Sequence, residues 1–324
     1  MIYSVFILDC RDYEERLRNL GIRELFFGLD TPEDVLARAR RHFSVFVEFK
    51  PFESHGNFVE NIFKERKDLK ALCCPTSEVM WEANIERLKE KLKQADGVAL
   101  DFVRYPSFSA ERFFFSCFCG SCRSFAEENG FDFDLVKESA SNFYNRNFKG
   151  SEYWFEFKRA VLKRYLEYFS GEVDVEKRAF IFSPSLSYFV GQDYDVFSRY
   201  VDELHPMIYP EGNLGPACLG YEAYHLSRLL RMPLQEVYDL LEIKTGNLPG
   251  SREELLAQGL PEEVVYHEVK KLKHGAVPIV TTLNLPPERI KRRIELCRSA
   301  GAERVAIFGF NKKERENLVK ACSG

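Results

Sequence analysis

The sequence lacks a charge of one sign. Its 46 Lys and Arg stand against 50 Asp and Glu, leaving a formal −4 over 324 residues, so no global basic field is present to hold a nucleic acid. It lacks a long hydrophobic run as well. The opening MIYSVFILDCRDYEE has no basic leader, and its apolar stretch stops at Asp9, too short for a signal-peptide core or a membrane span. A cytoplasmic protein is therefore expected, with no membrane and no nucleic-acid partner. No glycine fingerprint follows the first apolar run, which argues against a dinucleotide-binding fold. There is no internal repeat and no low-complexity segment. Glutamine is scarce while Lys, Arg and Glu abound, a balance in the direction of thermophile proteins. The nine cysteines are an odd number in tight clusters, which argues against a secreted disulfide framework.

What is present is alternation. Eight apolar runs recur: Tyr3–Leu8, Glu24–Leu29, Phe43–Phe49, Gly97–Val103, Arg178–Phe182, Val201–Tyr209, Ala276–Thr282 and Arg304–Phe310. Helical sequence separates nearly all of them. Arg11–Leu20 stops at Gly21 as a helix with a glycine cap would, and Thr31-Pro32 reads as a capping residue followed by proline in the first turn. Ser77–Lys93 is strongly amphipathic, so 69–76 is read as part of a loop. Strand and helix in turn imply a parallel sheet with crossover helices, and eight strands imply a closed (β/α)8 TIM barrel, one domain over 1–324. Residues 214–274 hold helical patterns and no strand, too much for one crossover. They are read as a helical insertion after the sixth strand.

The fourth run, GVALDFVRYP over 97–106, ends in Asp101, Arg104 and Tyr105. Barrels carry catalytic groups at the C-terminal ends of their strands. A structural ion pair between Asp101 and Arg104 is an equal reading at this point.

This stretch resembles the fourth strand of poorly characterised bacterial and archaeal families of glycoside-hydrolase-like barrels, G-(I/V)-x-(F/L)-D-(Y/F)-(I/V)-R-(Y/F)-P, at each position. Three further segments are similar to the same families: Cys74-Pro75-Thr76, the run Cys117-Phe118-Cys119-Gly120-Ser121-Cys122 with Phe125, and Asp202 with Pro206-Met207-Ile208-Tyr209-Pro210. Together they cover roughly 43–212. The resemblance implies a carbohydrate-active hydrolase that needs no cofactor for catalysis, with a carbohydrate or other small molecule as substrate.

Glycosidic cleavage needs two carboxyl groups. Asp101, on a rigid strand beside Arg104, suits a nucleophile or charge stabiliser kept ionised by the guanidinium. Glu211, after the sixth strand beside Tyr209, is the favoured general acid/base, and Glu48 at the end of the third strand is the alternative. Asp9 and Asp30 also lie at strand ends, and each of these acids could equally be a structural partner for a lysine. Asp202 begins its strand and reads as structural. Arg104, Tyr105, Tyr209, Trp81 and Phe108 are candidates for holding a sugar face. With 29 Phe, 15 Tyr and 2 Trp in the chain, ordinary core packing competes for each aromatic. His55 and His205 read as structural or surface residues.

Cys117, Cys119 and Cys122 place three thiols within six residues, a ligand set for structural zinc with Cys74 as the fourth. Free thiols in a reducing compartment are the competing reading. Two other functions therefore stand beside the glycosidase: a non-catalytic carbohydrate-binding barrel, and a metal-dependent hydrolase using the cysteine loop.

Overall fold

The computed structural model of the chain describes residues 2–6, 14–54, 56–273, 275–309 and 312–322. Eight strands close into a barrel. In chain order they are Ile2–Phe6, Glu24–Gly28, Ser44–Phe49, Gly97–Leu100, Glu176–Phe182, Glu203–Met207, Ile279–Thr281 and Val305–Phe308. Each pairs in parallel with its neighbours in sequence, and the eighth pairs with the first. This is the (β/α)8 architecture that the alternation implied.

The differences are local. The fourth strand stops at Leu100, short of Val103, because Phe102 adopts φ 55°, a left-handed backbone that no strand continues through. Pro32 rather than Thr31 occupies the cap of helix Glu33–Ala39, and no side chain caps it. The loop after the third strand holds a short antiparallel pair, Val59–Glu60 with Arg66–Lys67, which the sequence pattern did not announce. Asp9 and His55 lie outside the described residues. Between the sixth and seventh strands run helices Leu219–Leu229, Leu234–Leu240, Arg252–Gln258 and Glu263–Lys270. Among the described residues no helix is long and apolar enough to cross a membrane.

Residues two apart on a strand share a face, so the barrel interior fills in layers. The middle layer is aromatic: Phe26 meets Phe46, Phe180 and His205 with ring centroids 5.7, 5.2 and 5.3 Å apart. Gly97 makes room for it. A Cβ there would stand 2.5 Å from the Phe46 ring and 2.4 Å from the Glu176 carbonyl oxygen. Below this layer sit Glu24, Arg178 and Glu203. Above it the strands open into a cavity.

Candidate active site

The cavity at the C-terminal mouth has a volume of about 440 Å³. Its polar side chains are Glu48, Lys50, Asp101, Arg104 and Tyr209, and the remaining wall includes Phe102, Phe182, Met207, Ile279, Leu283 and Phe308. The charged side chains thus gather at the ends of the third and fourth strands, with a largely apolar wall across the barrel. A second cavity of about 390 Å³ shares Glu48 and Lys50, and is lined as well by Asp30, Thr31, Glu53 and Arg87.

Strand pairing explains the arrangement. Glu48 lies opposite Ala99 and Phe49 opposite Leu100, and the Asp101 amide donates to the Phe49 carbonyl at 2.9 Å. Asp101 therefore emerges between Glu48 and Lys50, which point the same way because they are two residues apart. Lys50 Nζ lies 2.9 Å from Glu48 Oε1. Burial first, then the charge and hydrogen bond of Glu48, push the Asp101 carboxyl well above the ordinary range. Lys50 and the Phe102 amide, which donates to Asp101 Oδ1 at 2.8 Å, oppose this without reversing it. Burial also works against the Lys50 ammonium, but Glu48 and Asp101 outweigh it and its pKa rises. Glu48 is thus the neighbouring charge that, with burial, favours a proton on Asp101.

Arg104 does not play its expected part. Its guanidinium is buried between the Phe102 and Phe182 rings, 4.6 and 4.7 Å from their centroids, and donates to the Tyr105 carbonyl at 2.9 Å. Burial lowers its pKa to about 10, against the pull of Glu222 and Asp101. Asp101 instead has Lys50 as its cation, so the reading that Arg104 keeps Asp101 ionised does not hold. Lys50 is absent from the residues expected at the site. The signal was its two-residue spacing from Glu48 at a strand end.

The other candidates scatter. Glu211 does not line the central cavity. Its carboxylate accepts from Arg293, and it lines a separate cavity of about 200 Å³ with Asn213, Gln258 and Arg289. Burial raises its pKa against Arg293. Tyr209 does line the central cavity, stacked on Phe308 at 5.8 Å. Tyr105 is buried beneath the strand end, and Phe108 packs among Phe114, Phe143 and Phe189. Trp81 lies outside the barrel against Tyr165 and Tyr168, with its indole N–H donating to the Pro75 carbonyl at 3.0 Å. For these three, core packing is what the structure shows. Asp202 is structural, accepting the Lys177 amide at 2.7 Å. His205 bonds Glu203 at 2.7 Å inside the barrel.

The cysteines converge. The sulfurs of Cys74, Cys117, Cys119 and Cys122 all lie within 4.8 Å of one another. None of the four lines the central cavity. Thiol donors around Cys119 favour its thiolate and lower its pKa, while Cys117 and Cys122 are raised.

No protein-family model matches the sequence, and no curated protein does. Among solved structures, the chain is similar to a catalytic mutant of Gan42B, a GH42 beta-galactosidase from G. stearothermophilus, with a TM-score of 0.56 at 10% identity. The match covers 99% of this chain and 56% of that one, so the chain spans little more than half the length of its neighbour. The shared feature is the (β/α)8 barrel.

Proposed function

We propose that the chain is a glycoside hydrolase whose general acid is Asp101, held protonated against Glu48. The observation that carries this is that Glu48, Lys50 and Asp101 line one cavity at the mouth of the barrel, where burial and the neighbouring Glu48 raise the Asp101 carboxyl well above the ordinary range. A carboxyl that keeps its proton near neutral pH can deliver it to a leaving oxygen. When Asp101 releases the proton, Lys50 balances the charge left on the pair. The pair acts as one proton-carrying unit: Asp101 gives its proton to the leaving oxygen, water adds to the anomeric carbon, and the proton that water gives up returns to the Glu48–Asp101 pair. That assigns Glu48 rather than Glu211 as partner, and gives Asp101 the proton rather than the nucleophile's charge.

The pair stands where a polar cavity meets an apolar one. A sugar ring needs hydrogen-bond partners for its hydroxyls, because each one left unpaired on burial costs binding. Asp30, Thr31, Glu53 and Arg87 supply them on one side. The aromatic wall on the other side suits an apolar leaving group. The substrate class proposed is a glycoside with an apolar aglycone. Unactivated octyl and methyl glycosides of a panel of sugars, with aryl glycosides beside them, form the test. Hydrolysis by the wild type is expected, with octyl above methyl and with both slowed by Asp101→Asn more than the aryl substrates, which need little protonation. A panel in which the wild type cleaves nothing would sink the enzyme reading and favour a carbohydrate-binding barrel. The metal-hydrolase reading has no support in the geometry, since the cysteine loop does not open onto the cavity.

A further inference from the structure

We infer that Cys74, Cys117, Cys119 and Cys122 bind one structural zinc ion that clamps together the two crossovers flanking the fourth strand. The sulfur of Cys74 lies 3.3 Å from that of Cys119 and 3.4 Å from that of Cys122, and Cys119 and Cys122 are 3.9 Å apart. A zinc ion with bonds of about 2.3 Å to four tetrahedral thiolates sets their spacing near 3.8 Å. A disulfide would bring two sulfurs to about 2.05 Å, and all four cysteines are free thiols. An iron–sulfur cluster divides its four thiolates among two or four irons and spreads the set beyond this spacing, so a single ion is the fit.

The surroundings agree with a thiolate centre. The Glu60 amide donates to Cys117 Sγ at 3.4 Å, and the Thr76 hydroxyl lies 3.1 Å from Cys74 Sγ and 3.6 Å from Cys122 Sγ. Such donors steady metal-bound sulfur. Four protein ligands leave no open position for substrate or water, which marks the site as structural. Its effect is on the loops. Cys74 precedes helix Glu78–Leu92, which leads into the fourth strand, and Cys117, Cys119 and Cys122 follow that strand. Main-chain bonds from Phe118 to the Glu60 carbonyl at 2.8 Å and from Ile62 to the Phe115 carbonyl at 3.0 Å bring the short hairpin into the same module. Both loops leave the C-terminal ends of strands, so the ion would stiffen the rim of the mouth. This inference does not depend on the glycosidase reading.

The test uses the full chain purified without chelator. About one zinc per chain is expected, and cobalt substitution should give a thiolate-to-cobalt charge-transfer band with tetrahedral d–d bands. Cys122→Ser should weaken zinc at least tenfold in chelator competition, while Cys73→Ser, the neighbour outside the cluster, should not. If zinc-incubated, desalted wild type holds below about a tenth of an ion per chain, or Cys122→Ser competes for zinc as the wild type does, the inference fails. Iron in place of zinc, with its visible absorption, also overturns it. Should Cys122→Ser not fold, the cobalt spectrum of the unaltered chain decides, and an absent charge-transfer band ends the proposal.

Discussion

Two buried groups of acids lie at opposite ends of one barrel, and their charges are handled differently. At the floor, Arg178 reaches Glu24 at 2.7 Å and Glu176 at 2.8 Å, while Glu203 bonds His205 and lies beside Arg178 and Arg304. Burial pushes Glu203 up, but His205, Arg178 and Arg304 together outweigh it, and its carboxyl lies below the usual value. At the mouth, Lys50 is the cation paired with Glu48, it opposes the rise of Asp101 without reversing it, and the Asp101 carboxyl rises. An acid matched by guanidinium stays charged and holds the barrel together. An acid under-matched in the same low-dielectric interior keeps a proton it can give away. The difference separates stability from chemistry along one set of strands.

Asp101→Asn breaks the mouth. The side chain is nearly isosteric, and turnover on an unactivated glycoside should fall by roughly 10²–10⁴-fold while the thermal midpoint holds or rises, since the Asp101 carboxyl no longer has to be buried beside Glu48. Steady-state kinetics and a thermal melt on the same preparation check both halves. Arg178→Met breaks the floor instead. It leaves Glu24 buried without its cation, so urea unfolding should show a loss of about 3–5 kcal/mol, with the pH profile of turnover unmoved. A change in that profile would mean that the two ends are not separate.

The pH dependence sharpens the contrast, because the signs are opposite. Asp101 has a folded pKa above its unfolded one, so its contribution to stability is full below about pH 4 and is lost as pH rises through the folded value. Glu203 has a depressed folded pKa, so its contribution is present above the unfolded value and is lost as pH falls through the folded one. In urea titrations across pH, Asp101→Asn should flatten the decline on the alkaline side, and Glu203→Gln should flatten the decline on the acid side. On the proposed mechanism turnover needs protonated Asp101, so it should fall as pH rises past that raised pKa. Lys50→Met removes a cation that holds the pKa down, and should move this alkaline limb to higher pH. A limb that stays in place would show that Lys50 does not act on the pair.

The barrel was legible because each strand is a local event, an apolar run between breakers, and eight such runs leave one parallel solution. Asp101 and Glu48 were legible as strand ends for the same reason. Their pairing was not, because it depends on the register of the third strand against the fourth, which sets Glu48 opposite Ala99, two residues before Asp101. Lys50 needed only the two-residue periodicity, yet a lysine at a loop start has no mark of its own. Arg104 misled because nearness in sequence is not nearness of side chains. With Phe102 in a left-handed conformation, the chain turns and the guanidinium slots between two rings.

Glu211 shows how distant contacts decide what a strand-end residue does. The Pro210 carbonyl accepts the Leu260 amide at 2.8 Å, and the Glu211 carbonyl accepts the Tyr221 amide at 2.9 Å. Gly212 packs so tightly on the helix Arg252–Gln258 that a Cβ would stand 1.9 Å from the Leu255 carbonyl oxygen. Residues up to fifty positions away thus fix this turn, and the side chain is delivered to Arg293 on helix Pro287–Ser299 rather than to the central cavity. Glu211→Gln keeps the shape and removes the charge facing Arg293. The expected result is the smallest change of the set, less than about tenfold in turnover against the 10²–10⁴ of a proton donor. Any loss of stability should be close to that of a single charged hydrogen bond, about 1.5–3 kcal/mol. Steady-state kinetics on octyl and aryl glycosides check it. A loss above a hundredfold confined to the octyl substrates would return the proton donor to the sixth strand, and would make the Glu48–Asp101 pair the structural one.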